Sequence, residues 1–183
     1  THNMACYVSA ALAYCGEVLD RPDWMGIGLC DETGMAAQLR NGLRAGPDGK
    51  VDGFWYEGTM FYHFYSICPL VTLWETDKRN NGKLTRDADL RARFTEMFAA
   101  PVALIDQALR LPPVGDLSAP RLMNLAAYRH LYEYAAGKLD PDRFGPLLAS
   151  IYATTRAPRV ELEALAYGLD ELPEPDGVPK THT

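Results

Sequence analysis

Asp52-Gly53-Phe54-Trp55-Tyr56-Glu57-Gly58-Thr59-Met60-Phe61-Tyr62-His63-Phe64-Tyr65 is dense in aromatic rings and carries one imidazole. Gly46-Pro47-Asp48-Gly49 before it reads as a turn. Ser66 to Trp74 after it is apolar enough for a buried helix. The ring-rich segment therefore lies where a loop, Gly46 to Gly58, enters a helix, Thr59 to Thr76. Pro69 is expected to kink that helix. Tyr, His and Trp side chains at such a junction suit a sugar-binding cleft, and Tyr or His can move protons there.

The same periodicity extends in both directions. Met4 to Leu19 reads as a helix, broken at Asp20-Arg21-Pro22-Asp23. Pro22 suits the first turn of the next helix, which runs to about Leu43 and is weakened by Gly26, Gly28 and Gly34. Asp77 to Lys83 is a polar link. Thr85 to Leu111 has apolar residues at helical spacing, with Pro101 dividing or bending it. Leu111-Pro112-Pro113-Val114-Gly115-Asp116 is extended, since residues before proline avoid the helical region. Ser118 is a candidate cap for a helix from about Pro120 to Ala136, stopped by Gly137. Asp140-Pro141 opens another helix to about Thr154, and a last one spans Arg159 to Tyr167.

Seven or eight helices and no convincing strand predict an all-α domain over residues 1–170. Residues 171–183, rich in proline and charge, read as a linker. Chain order alone leaves a bundle and an (α/α) toroid both open, and no repeat of constant length is present.

The 183 residues suffice for a sizeable core, and 48% hydrophobic with 23% charged residues is ordinary for a globular domain. A net charge of −6 argues against a general nucleic-acid binder, which needs a basic face. Lys78, Arg79, Lys83, Arg86, Arg91 and Arg93 read as a solvated helix start and loop, or as a local patch for an anionic polymer. No apolar run reaches the length of a membrane span. No signal peptide is visible, and an opening without Met suggests a piece of something longer. Cys6, Cys15, Cys30 and Cys68 lack paired short spacing and read as small buried hydrophobes. Metal-ligand spacing and phosphate-cradling glycine loops are absent, so no cofactor is expected.

The central segment resembles the loop-and-helix signature of the heparinase II/III-like polysaccharide lyases, a superfamily that includes alginate and oligoalginate lyases. Their pattern is close to Asp-Gly-(aromatic)-Tyr-Glu-Gly-Ser-x-x-Tyr-His-x-Tyr, and Thr59 stands here where Ser is usual. Upstream, His2-Asn3 and the small-residue helix Ala10 to Gly16 are similar to the family's asparagine-bearing helix. Downstream, Leu111 to Asp116 is similar to its proline-rich loop ending in Gly-Asp.

The resemblance implies part of an incomplete (α/α) toroid of antiparallel helix hairpins, its C-terminal half. It further implies a β-sandwich domain of the same full-length protein, beyond the tail. It implies β-elimination on a uronic-acid polysaccharide or oligosaccharide. Such chemistry needs a base near C5, neutralisation of the neighbouring carboxylate and a proton for the departing O4. By resemblance, Tyr62 is the tyrosine that takes and returns the proton; from the ring density alone it is one more buried ring. Asn3 matches the carboxylate-neutralising asparagine, although Asn also caps helices well. His2 would stand beside it, because Val8 occupies the place where some members carry a histidine. His63 points about 100° away from Tyr62 on a helix and reads as a helper that orients the site or satisfies the core.

Tyr56, Trp55 and Tyr65 are candidates to stack on sugar rings, with core packing as the plainer role. Glu57 joins His63 among the substrate-binding candidates, though a carboxylate there also fixes the loop by accepting amide hydrogen bonds. A general-acid role for Glu57 would make the protein a glycosidase, which needs a second carboxylate across the cleft, and the motif offers none nearer than Asp52. Asp116 suits a turn cap or a substrate contact, and His130 reads as structural. The alternative to a lyase is a non-catalytic carbohydrate-binding or interaction helical domain.

Overall fold

A computed structural model describes residues 2–48, 50–115 and 123–175. Asp116, the Ser118 cap, the start of the helix expected at Pro120, Gly49 of the turn and the tail from residue 176 lie outside the described residues. The chain is mostly helical, with one small two-stranded sheet. It divides into two compact units, Thr1–Met97 and Phe98–Thr183.

The first unit begins with helix α1, Asn3–Val18, rich in alanine and free of proline. His2 is its N-cap, accepting the Met4 N–H on Nδ1 at 3.1 Å. Helix α2, Pro22–Cys30, starts on its proline and returns antiparallel to α1. Gly28 explains the glycine content: a Cβ there would lie 2.4 Å from the Ser9 carbonyl oxygen and 2.7 Å from Ala13. A Cβ on Gly16 would likewise lie 2.5 Å from the Met25 backbone nitrogen. The helix pair thus meets nearly backbone to backbone. The long helix expected to Leu43 is split at Asp31, and helix α3 occupies Met35–Asn41.

The expectation of no strand is corrected. β1, Leu43–Ala45, pairs antiparallel with β2, Val51–Trp55, in the segment read as loop. Gly46 N–H donates to the Lys50 carbonyl at 2.8 Å and closes the turn. The register is irregular between Leu43 and Ala45, and Gly53 takes φ of 80°, a left-handed value that favours glycine. So short and irregular a hairpin leaves no alternating pattern to read.

Helix α4, Met60–Arg79, runs through Pro69 and is capped by Thr59, whose side chain accepts the Tyr62 N–H at 3.0 Å. Its buried face carries Phe64, Ile67, Leu70, Leu73 and Trp74. α4 lies parallel to α1. Tyr65 meets Met4 and Tyr7 at one end, and Arg79 and Asn80 both reach Glu17 at the other. Asp77, 3% exposed, staples the next loop by accepting the Thr85 N–H at 2.8 Å. Helix α5, Ala88–Ala99, follows, with Asp87 accepting the Asp89 and Leu90 amides.

In the second unit the long helix expected to Leu111 stops early. A tight 3-10 turn holds Ala100–Leu104 around Pro101, and the chain then extends. Leu111 N–H to Met123 O and Leu125 N–H to Leu109 O, both 2.8 Å, tie the chain on either side of the proline-rich segment. A 3-10 turn at Leu125–Tyr128 leads into helix α6, Arg129–Tyr134.

Gly137 does not stop this helix. A wider π turn, Ala135–Leu139, carries it onward, and a Cβ at Gly137 would lie 1.7 Å from the Tyr167 carbonyl oxygen. The glycine serves a close approach, not a terminus. Helix α7, Pro141–Thr155, is capped by Asp140, and α8 is short, Leu162–Ala166.

Glu133, 0% exposed, is held by Arg159 through two bonds of 2.7 Å and by the Tyr152 hydroxyl at 2.8 Å. Tyr152 also bonds Glu161, which pairs with Arg129. Burial, then the two carboxylates, push the Tyr152 phenol pKa upward.

Candidate functional site

The ring-rich segment and the start of α1, separated in sequence, meet in space. Asn3 N–H donates to Glu57 Oε2 at 3.0 Å, and the Trp55 indole N–H donates to the same oxygen at 2.6 Å. One carboxylate oxygen thus fastens the β2–α4 loop to the first turn of α1. Gly58, with φ of 76°, makes the turn that brings Glu57 there. Glu57 is half-buried, and this placement matches its loop-fixing role.

His63 is 1% exposed. The Trp55 backbone N–H donates to its Nδ1 at 3.1 Å, so the ring proton sits on Nε2, which donates to the Met97 carbonyl at 2.8 Å. Burial holds its pKa down at about 4, against a smaller opposing effect of that carbonyl. The ring is neutral and committed at both nitrogens. It fixes the junction of β2, α4 and α5, and offers no donor to a substrate, which corrects its place among the substrate-binding candidates.

Trp55 requires the same correction. It is 1% exposed, and its ring lies against Gly42, where a Cβ would come within 2.2 Å of it. No face remains for a sugar. Tyr56, 43% exposed, does present its ring. Burial, then Glu57, raise its phenol pKa.

Tyr62 is half-buried in the first turn of α4, where its N–H is capped by Thr59. Tyr65 lies one turn further along and is also half-buried. Its hydroxyl donates to Met4 Sδ at 3.8 Å, and its ring meets Tyr7 at 4.4 Å between centroids. Burial, then Cys68, Tyr65 and Cys6, push the Tyr7 phenol pKa up. Asn3 is 5% exposed, and its Oδ1 is buried without a hydrogen-bond partner. His2 is exposed.

Because α1 and α4 run parallel, Asn3 and Tyr62 stand at the same end of the helix pair. Tyr7 escaped the sequence reading: its seat against Tyr65 depends on the pairing of two helices, and neither helix shows it alone.

The other candidates are peripheral. His130 is half-buried, with its pKa lowered by burial. All four cysteines are free, and Cys15 and Cys30 are exposed, against the expectation that all would be buried. Burial raises the Cys6 pKa to about 12. Of the basic run, Lys78 pairs with Glu75, Arg79 with Glu17 and Arg93 with Asp89. Among the described residues no helix is long and apolar enough to cross a membrane. No known family model matches the chain, and comparisons with curated proteins and with solved structures also find no match.

Proposed function

We propose that this chain is the helical part of a polysaccharide lyase that cleaves uronic-acid glycans by β-elimination. The Asn3–Glu57 hydrogen bond carries the reading. It joins the two segments that the reaction needs together, the asparagine-bearing helix start and the tyrosine-bearing one. Tyr62, as the phenolate, takes the C5 proton while the C4–O4 bond breaks and a C4=C5 double bond forms, and the resulting phenol returns the proton to the departing O4. The Asn3 amide neutralises the carboxylate, with His2 beside it.

Asn3 Oδ1 has no hydrogen-bond partner among the described residues, so the amide is not committed to another group, and at 5% exposed it meets a carboxylate only when the first turn of α1 opens. Turning the amide over replaces a buried acceptor by two donors, and donors are what a carboxylate requires. The parallel course of α1 and α4, with α2 returning antiparallel to α1 between them in sequence, supports an (α/α) toroid of hairpins. The rest of the ring and a β-sandwich domain are its proposed partners in the full-length protein.

A second reading is a helical carbohydrate-binding domain without catalysis, and it draws on His63, which is committed at both nitrogens and adds no acid or base to the site.

Ultraviolet absorbance of the unsaturated product separates the two. The full-length protein is incubated with alginate, heparin, heparan sulfate and hyaluronan. Absorbance should rise with at least one polymer and vanish in Tyr62→Phe, which keeps the ring and removes the proton carrier, while that polymer still binds. A flat trace on every polymer, or a fully active Tyr62→Phe, overturns the eliminase assignment.

A further inference from the structure

Four half-buried rings follow one another across the α1–α4 face. Tyr62 meets Phe61 at 5.6 Å between centroids, Phe61 meets Tyr65 at 5.8 Å, and Tyr65 meets Tyr7 at 4.4 Å. Phe61 and Tyr65 are inclined to each other by only 32°. The unit does not leave these rings wet for want of core positions, since α4 buries Phe64, Ile67, Leu70 and Trp74 completely or nearly so. Aromatic surface left at the edge of water retains stabilisation that a further contact can claim.

The chemistry of the patch selects the contact. Its apolar faces are bordered by phenol oxygens. The Tyr65 hydroxyl donates to a thioether, Met4 Sδ at 3.8 Å, which is a weak acceptor. Tyr7 engages Tyr65 in turn. Ring faces bordered by hydroxyl groups match a sugar, which offers C–H faces bordered by its own hydroxyl groups. The exposed aliphatic residues of α1, Val8 and Val18, carry no hydroxyl and belong to a different kind of surface.

We propose that Tyr7, Phe61 and Tyr65 form a saccharide-stacking platform that continues the candidate site from α4 onto α1. The platform takes the C–H faces of successive sugar rings in an oligosaccharide. It requires no elimination chemistry, so it stands or falls apart from the role of Tyr62. Burial of Trp55 makes this platform, with the exposed Tyr56, the aromatic contact surface of the segment.

Calorimetric titration of the 183-residue chain tests this. The probes are an alginate hexasaccharide and neutral cellohexaose, with Tyr62→Phe as background so that no cleavage intervenes. At least one probe should bind. Tyr7→Ala and Phe61→Ala should each weaken it by about tenfold, the scale of a lost aromatic contact. Tyr7→Phe, which keeps the ring, should stay within about twofold, a small fraction of that contact. Circular dichroism confirms that each variant is folded.

Unchanged affinity in folded Tyr7→Ala or Phe61→Ala overturns the platform, as does the absence of binding by both sugars. Self-association of the chain that Tyr7→Ala abolishes assigns the surface to a second copy and also overturns it. Sugar binding through these rings, together with a flat absorbance trace from the wild-type full-length protein on every polymer, keeps the platform and removes the lyase.

Discussion

Asn3 and Glu57 are joined across 54 residues of sequence by a 3.0 Å hydrogen bond from a helix-start amide to a half-buried carboxylate. The same oxygen receives the Trp55 indole N–H. Glu57→Ala leaves both donors without this acceptor and should cost about 2–3 kcal/mol, as for bonds to charged groups. Glu57→Gln keeps an acceptor oxygen and should cost less. Urea denaturation of the two variants measures the difference; equal stability of Glu57→Ala and wild type contradicts it.

His63 makes stability depend on pH. Its folded pKa, about 4, lies below the ordinary value of 6.5, so between these limits the unfolded chain binds more protons. Stability is therefore full above pH 6.5 and falls as the pH drops toward 4. The loss attributable to this ring is about 3 kcal/mol, from the size of the shift. Denaturant midpoints at pH 7.5 and pH 5 should separate in wild type and draw together in His63→Gln. An equal separation in that variant assigns the acid sensitivity elsewhere.

The contact between α1 and α2 predicts opposite outcomes for two neighbouring glycines. Gly28→Ala sets a methyl 2.4 Å from the Ser9 carbonyl oxygen, so the helices must part. It should destabilise by about 1–3 kcal/mol. Gly26→Ala meets nothing within 4 Å. It should be neutral or stabilising by up to about 1 kcal/mol, from helix propensity. Thermal melts of both rank them directly, and a tolerated Gly28→Ala disproves the close approach.

Glu133 and Arg159 make the second unit vulnerable to losing one partner. Arg159→Met leaves a carboxylate that is 0% exposed with only the Tyr152 hydroxyl, and should cost about 3–5 kcal/mol. Adding Glu133→Gln removes the stranded charge and should restore part of the loss. A double-mutant cycle by urea denaturation reads the coupling; simple additivity of the two changes would show that the pair is not coupled.

What was legible in the sequence follows from the range of the interactions involved. The helices were visible because apolar spacing, Pro22, Pro101, Thr59 and Asp140 act within a few residues. The hairpin Leu43–Trp55 was not, because strands this short and irregular carry no period. In the sequence Gly28 reads as weakening its helix and Gly137 as stopping one, but each answers to a backbone contributed from elsewhere in its unit, Ser9 and Tyr167. Within the site, Glu57 behaved as a carboxylate beside a tight turn should. The committed nitrogens of His63 and the sealed ring of Trp55 were invisible, since Met97 and Gly42 lie outside the motif.

The parallel course of α1 and α4 has an electrical consequence. Antiparallel neighbours cancel their macrodipoles, whereas these two add. Their positive ends share one edge of the unit, where the Glu57 carboxylate sits, and Lys78 and Arg79 occupy the last turn of α4 at the negative edge. Glu57 is thus a counter-charge at the positive edge, whereas at the other edge Lys78 and Arg79 are already paired with Glu75 and Glu17, so added salt acts chiefly on the first.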